Sequence, residues 1–263
     1  MSPVTDSRPR IGVSTCLLGE PVRWDAGHKR DPYLVDVFGP QVEWVPFCPE
    51  VEAGFGTPRE TMHLVRAAGG PITLMTTKTQ RDVTRQLRTA VQRRMDAIAE
   101  ADLSGYVLKK DSPSCGMARV KVYSDRGGPA ERTGRGLFAD ALMTRLPNLP
   151  VEEEGRLSDP RLRENFVERV FAFQRVRRLF SSRWTQGDLV AFHTAHKLTL
   201  MAHSPSAYRA LGRLVAEGAS LDRRALALRY EAEFMQALAV VATPKRHANV
   251  DPHPRELSLR NHV

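Results

Sequence analysis

The chain has 263 residues, of which 41% are hydrophobic, and this is enough for one large domain or two ordinary ones. Its 39 Lys and Arg residues outnumber its 30 Asp and Glu residues, and the formal net charge of +9 favours a polyanionic partner. The sequence shows neither the apolar core of a signal peptide nor the roughly 20 apolar residues of a membrane span. Three cysteines, an odd count in a chain of this size, argue against a disulfide scaffold, so we expect a cytoplasmic protein.

Short apolar strands alternate with amphipathic helices in the first part of the chain. Strands are predicted at residues 10–14, 42–47, 72–76, 106–108, 119–123 and 151–154, and helices at residues 82–100 and 137–146. This alternation predicts an α/β fold, with a Rossmann-like, mostly parallel sheet in an N-terminal domain. Residues 125–136 are rich in Gly and Arg and are predicted to form an exposed, mobile loop.

Each cysteine follows the C-terminal end of a predicted strand. Cys16, Cys48 and Cys115 lie in loops that also contain Gly or Pro. Because the carboxyl ends of parallel strands share one edge of a sheet, we expect the three thiols to converge there. Scattered cysteines are more often buried small hydrophobes. Zinc usually has four protein ligands, or three and a water molecule in a catalytic site, and three thiolates fit an iron–sulfur cluster with one incompletely ligated iron at least as well.

Polar residues accompany these cysteines. The loop that contains Cys115 also has two lysines, Lys109 and Lys110, which either neutralise a cluster or a phosphate or form a solvated edge. Glu50 lies two residues beyond Cys48 and is a candidate general acid or base if burial raises its pKa. The alternative for Glu50 is a helix-capping or ion-paired carboxylate.

The composition changes near Gly155, where an all-α second part is predicted to begin. Ser158 as N-cap and Pro160 in the first turn predict the start of a long helix. Six arginines decorate this helix, at positions 161, 163, 169, 175, 177 and 178. Such a helix either tracks a phosphate backbone or is an ordinary amphipathic helix with a charged outer face. His193 and His196 are spaced to share a metal, although such pairs are more often core or surface residues.

Five motifs of the N-terminal region, in the right order, resemble those of the TudS-like thiouracil desulfidases. They occupy residues 16–19, 25–31, 48–52, 56–60 and 112–116, and the resemblance defines a domain over residues 8–155. Residues 156–250 resemble a helical family often fused behind the first, through motifs at 192–197, 201–205 and 245–250. The fused arrangement resembles bacterial tRNA 4-thiouridine desulfidases. Residues 251–263 depart from that pattern, and we expect them to form an irregular tail.

The resemblance implies a cofactor and a partner. It implies a [4Fe–4S] cluster held by Cys16, Cys48 and Cys115, with the fourth iron open to the sulfur of the substrate. It further implies tRNA as the partner, with 4-thiouridine as the thiolated base and a nucleic-acid-binding role for the helical domain. Two alternatives stay open, namely a desulfidase of free thiouracil-type bases and a non-enzymatic iron–sulfur sensor on nucleic acid.

The resemblance also implies the catalytic residues. Glu50 is expected to activate a water molecule, and Ser112 or Ser114 to donate a hydrogen bond to the base or to the developing charge. A thiolated uracil then loses sulfide and gains oxygen, with no net redox change.

Overall fold

The structure is a computed structural model that describes residues 8–243. This part of the chain forms two compact units that divide between Ser158 and Asp159. The predicted tail, residues 251–263, and the motif at residues 245–250 lie outside the described residues.

The first unit contains eight strands and three α-helices within the described residues. In chain order they are β1 (Arg10–Ser14), β2 (Glu43–Phe47), α1 (Pro49–Glu52), β3 (Met62–Arg66), β4 (Ile72–Thr76), α2 (Thr84–Glu100), β5 (Leu103–Leu108), β6 (Val120–Ser124), β7 (Glu131–Gly134), α3 (Leu137–Arg145) and β8 (Val151–Glu153). A 3₁₀ turn, Thr15–Leu18, follows β1, and a π-helical turn, Tyr33–Phe38, and a second 3₁₀ turn, Gly39–Gln41, precede β2.

Four strands form a fully parallel sheet in the order β2-β1-β5-β8. Every residue of β5 is buried, as expected for a central parallel strand covered on both faces. The ring of Phe138 from α3 packs against Phe47 of β2 and Tyr106 of β5, with centroids 4.9 and 5.5 Å away. The predicted α/β class with a parallel sheet, followed by a helical part, is confirmed.

A second, mixed sheet has the order β4-β3-β6-β7, in which only β3 and β6 run parallel. The prediction that residues 125–136 form a loop is therefore wrong in part, because β7 pairs antiparallel with β6. This edge strand, Glu131–Gly134, buries only its last residue, so it lacks the apolar alternation by which strands are predicted.

The second unit is all helical within the described residues. Its helices are α4 (Pro160–Ser181), α5 (Gln186–Ala195), α6 (Lys197–His203), α7 (Pro205–Glu217) and α8 (Arg223–Leu238), with a 3₁₀ turn at Gly218–Ser220. No helix within residues 8–243 is long and apolar enough to cross a bilayer.

The start of α4 differs from the prediction by one residue. The N-cap is Asp159, not Ser158, and its carboxylate accepts hydrogen bonds from the N–H groups of Arg161 and Leu162. Pro160 occupies the first helical position, where its fixed φ suits the helix and its missing N–H costs nothing, so the cap falls on the residue directly before it.

The predicted histidine pair belongs to the core of the second unit. His193 Nδ1 lies 3.0 Å from the hydroxyl of Tyr230, and His196 Nδ1 lies 2.9 Å from the carbonyl oxygen of Phe192. Burial lowers the pKa of both imidazoles, so they are neutral core groups. Neither belongs to a group of metal-binding side chains among residues 8–243.

A third histidine pairs with an acid. His203 is buried, and its Nε2 lies 2.7 Å from Glu168 Oε2. Burial alone would lower the pKa of His203, but the hydrogen bond and charge of Glu168 raise it above its usual value. The stability from this pair is therefore fully present below the ordinary histidine pKa of about 6.5 and is lost as the pH rises through the raised value.

We expect Glu168→Gln to destabilise the second unit more at pH 5.5 than at pH 8.5. A hydrogen bond to a charged group contributes about 1.5–3 kcal/mol, so the loss at pH 5.5 should fall in this range. Urea unfolding at both pH values measures it, and NMR titration should show a lower His203 pKa in the variant. An equal or larger loss at pH 8.5 would contradict the assignment.

Candidate active site

The three cysteines converge at the carboxyl edge of the parallel sheet. Cys16 lies in the 3₁₀ turn after β1, Cys48 directly follows β2, and Cys115 lies in the loop after β5. Because β2, β1 and β5 are neighbours in the sheet, their ends lie side by side. All three cysteines line one cavity of about 360 Å³, together with Glu50 and Ser112.

Burial makes the three thiols poor acids. Burial, followed by the nearby Cys48, raises the pKa of Cys16 to about 11. Burial is also the largest cause of the raised pKa of Cys48 and of the strongly raised pKa of Cys115. Without a cation, the cavity therefore holds neutral thiols, and a bound cation would be needed to convert all three to thiolates.

The loop around Cys115, residues 109–117, is held in one shape by several hydrogen bonds and is called the Cys115 loop below. The N–H of Gly116 donates to Ser112 O at 2.8 Å, and Ser112 Oγ accepts from the N–H groups of Ser114 and Cys115 at 3.2 and 3.0 Å. The N-terminal turn of α3 donates two N–H groups to Ser114 O, at 2.9 and 3.3 Å. A Cβ at Gly136 would lie 2.4 Å from Ser114 O, so only glycine permits this approach.

Glu50 forms a buried ion pair with Arg59 at the cavity wall. Arg59 Nε and Nη2 both contact Glu50 Oε2, at 2.8 and 2.6 Å, and the side chains are only 6% and 14% exposed for Arg59 and Glu50. Within residues 8–243, no donor reaches the second carboxylate oxygen, Oε1. Arg59 thus fixes the carboxylate through one oxygen and leaves the other available to a water molecule.

The two candidate serines differ in position. Ser112 lines the cavity, and its oxygen already accepts two N–H groups, so its hydroxyl hydrogen remains to be donated. Ser114 is fully buried and is not among the residues that line the cavity. In the part of the chain that the structure describes, Ser114 Oγ has no hydrogen-bond partner.

Comparison with known proteins identifies the region that contains this cavity. A family model described as 2-thiouracil desulfurase matches residues 11–154. The chain belongs to this family. A second model, described as a protein of unknown function (DUF1722), matches residues 197–255, behind the desulfurase region.

Individual relatives match parts of the chain. The uncharacterized protein YbbK of Bacillus subtilis (strain 168) is 30% identical over 50% of the chain and 88% of that protein. The uncharacterized protein YbgA of Escherichia coli (strain K12) is 32% identical over 35% of the chain and 56% of that protein, about half its length. A solved structure titled [4Fe-4S]-dependent thiouracil desulfidase TudS is 30% identical, covers 57% of this chain and 94% of its own, and has a TM-score of 0.46.

The sequence alone does not indicate three charged residues that hold the cavity wall or the Cys115 loop. Arg59 lies in a recognisable motif, but its ion pair with Glu50 is not evident from spacing. Glu154 binds the ammonium group of Lys109 and accepts from the N–H of Lys110 at 2.7 Å. Glu153 Oε1 accepts from the N–H of Met117 at 2.7 Å. The available signal for the two glutamates is the run of three acids at the end of a buried parallel strand, where charged residues are not expected.

Proposed function

We propose that this desulfurase removes sulfur from a thiolated uracil by hydrolysis and that an iron–sulfur cluster binds at the three cysteines. The observation that carries the proposal is the cavity itself, in which Cys16, Cys48 and Cys115 meet Glu50 and Ser112. A thiol-based sensor needs the cysteines but not an adjacent carboxylate held with one oxygen free. The constellation therefore favours an enzyme.

The donor set suits a cluster better than a single ion. A single zinc ion usually has four protein ligands, or three and a water molecule, and all its thiolate ligands lie about 2.3 Å from it. A [4Fe–4S] cluster attaches each thiolate to a different iron, so its cysteines lie further apart. Three cysteines also leave one iron without a protein ligand. When bound, such a cluster supplies a soft Lewis acid for the sulfur of a thiocarbonyl group.

The proposed reaction balances without an oxidant or a reductant. Water adds its oxygen to the ring carbon that carries sulfur, the carbon–sulfur bond breaks, and the products are uracil and hydrogen sulfide. Both water protons end on sulfur, so Glu50 accepts one proton and later returns it.

We propose a role for each protein group that this geometry supports. Glu50 Oε1 holds and deprotonates the attacking water, while Arg59 keeps Oε2 in place. Ser112 donates its hydroxyl hydrogen to the substrate, in preference to Ser114, because only Ser112 lines the cavity.

We further propose that the thiolated uracil is 4-thiouridine in tRNA and that the second unit binds the RNA. The net charge of +9 supports a polyanionic partner. On α4, however, only Arg161 and Arg175 are exposed among the six arginines, and the Arg177 guanidinium lies over the Phe173 ring at 5.6 Å. The other four arginines are half-buried, so this helix supports RNA binding less than the number of its arginines indicates.

A more suitable surface lies between the end of α4 and the start of α8. This groove, of about 450 Å³, is lined by Arg183, Arg223 and Arg224 with Trp184 beneath them. The guanidinium of Arg223 lies 4.6 Å from the centre of the Trp184 ring. One carboxylate, Glu231, also lines the groove, so three arginines leave it with a net positive charge that suits a phosphate backbone.

We expect the double variant Arg183→Glu with Arg224→Glu to bind tRNA more weakly and with a flatter dependence on salt. Loss of two phosphate contacts should reduce the log–log slope by roughly 1.4–1.8. Arg209→Glu with Arg213→Glu, on α7, makes the same change in net charge away from the groove and serves as the control. Equal losses in both double variants would show that net charge, not this groove, determines binding.

Parallel anaerobic assays on thiolated tRNA and free 2- and 4-thiouracil test the function as a whole. Sulfide release from tRNA, with much slower release from the free bases, is the expected result. Faster release from the free bases would show that small pyrimidines, not tRNA, are the substrate. Absence of sulfide release from both kinds of substrate would overturn the desulfidase assignment.

A further inference from the structure

Three consecutive glutamates lie at the end of β8, where Glu152 and Glu153 close the strand and Glu154 follows it, and their exposed fractions are only 6%, 7% and 9%. A buried carboxylate stabilises a fold little, because the loss of hydration offsets most of its attraction to a partner. The hydrogen-bond partners of these carboxylates therefore indicate their role better than their contribution to stability does.

The pairing register places two of the three glutamates beside the Cys115 loop. In the parallel pair of β5 and β8, Leu108 lies opposite Glu153, and the N–H of Glu154 donates to Leu108 O at 3.2 Å. Leu108 is the last residue of β5, so Glu153 and Glu154 lie level with the point where the Cys115 loop begins.

The two glutamates bind opposite ends of the loop. Glu154 binds the Lys109 ammonium group and the backbone N–H of Lys110, at the entry. Glu153 binds the backbone N–H of Met117, two residues beyond Cys115, at the exit. Glu152 has different partners, because its Oε1 accepts from the N–H of Glu153 at 3.0 Å and from Arg156 Nε at 2.6 Å.

We propose that Glu153 and Glu154 are positioning residues that clamp both ends of the Cys115 loop and so hold the Cys115 thiol in place for the cofactor. The proposal rests on the proposed function, because it assumes that Cys115 is a cluster ligand. Second-layer groups of this kind usually change metal affinity about 10- to 100-fold when they are lost.

The first test needs no cofactor. Iodoacetamide is added to the full-length chain before reconstitution, and mass spectrometry follows the alkylation of each cysteine. Cys115 is 6% exposed and should react slowly in the parent. We expect Glu154→Ala and Glu153→Ala to accelerate alkylation of Cys115 about tenfold or more, with little change at Cys16 and Cys48. Glu152→Ala is the matched control and should resemble the parent.

The second test uses the reconstituted protein. An iron chelator should remove iron about 10- to 100-fold faster from Glu154→Ala than from the parent or from Glu152→Ala. Glu154→Gln keeps an oxygen that can accept from the Lys110 N–H, so it should partly restore both the slow alkylation and the slow iron loss.

Parental alkylation rates in both alanine variants, together with a parental iron-release rate in Glu154→Ala, would overturn the proposal. Equal acceleration at all three cysteines would also overturn it, since that result indicates general loosening of the fold. A parent that takes up no iron would instead refute the proposed cofactor, and the alkylation test would still decide whether the glutamates hold the loop.

Discussion

Replacement of any one of the three cysteines by alanine should abolish the cluster and all desulfuration. Anaerobic reconstitution of the parent should bind about four irons per chain and give visible absorbance, since a [4Fe–4S] cluster is the group that three converging thiolates suit best. Each substitution at Cys16, Cys48 or Cys115 leaves two thiolates, which cannot hold that cluster firmly. Iron and sulfide analysis, with the visible spectrum, measures the result.

The pH dependence of reconstitution provides an independent check. Because burial raises the pKa of all three thiols, iron uptake must release protons and should slow as the pH falls. A single cysteine variant with full iron content would remove that residue from the ligand set. If the parent contained stoichiometric zinc and retained it through anaerobic reconstitution, the site would be a zinc centre and the cluster assignment would be wrong.

Glu50→Gln should retain the cluster but lose at least about a hundredfold in turnover, the usual effect of a general acid–base residue. The amide can still accept from Arg59, so the wall of the cavity should keep its shape, whereas the amide cannot take a proton from water. Single-turnover sulfide release from the thiolated substrate measures the loss, and the visible spectrum confirms the cofactor.

Glu52→Gln is a suitable control for Glu50→Gln. Glu52 lies on the same short helix, α1, but is exposed and does not line the cavity. It should retain parental turnover. If Glu50→Gln is as active as Glu52→Gln, the base must be sought elsewhere along the cavity.

The parts of the fold that could be predicted are those that depend on local pattern. The strands before Cys16 and Cys48 are apolar runs beside Gly or Pro, and their parallel pairing follows from the α/β alternation of the whole region. Because each cysteine lies in the loop after such a strand, the edge of the sheet where they meet was predictable. β7 was not, since an exposed edge strand needs no apolar face.

The remaining parts of the site depend on tertiary contacts. The pair of Glu50 and Arg59 forms because the chain turns back on itself through a Gly/Pro-rich segment, and no periodicity encodes that turn. Glu154 reaches the Cys115 loop only because β8 is the neighbour of β5. Several arginines of α4 are half-buried, and the periodicity of the sequence does not reveal this burial.

The order of the loop contacts along the chain bears on how the protein matures during synthesis. A nascent polypeptide that ends just past Cys115 already carries all three thiols but lacks α3, whose N–H groups hold Ser114 O, and lacks the glutamates that follow. Cys115, the last of the three proposed ligands, therefore lacks these contacts until β8 has been synthesised. On the proposed function, delivery of a cluster is then expected to follow translation of β8 and Glu154.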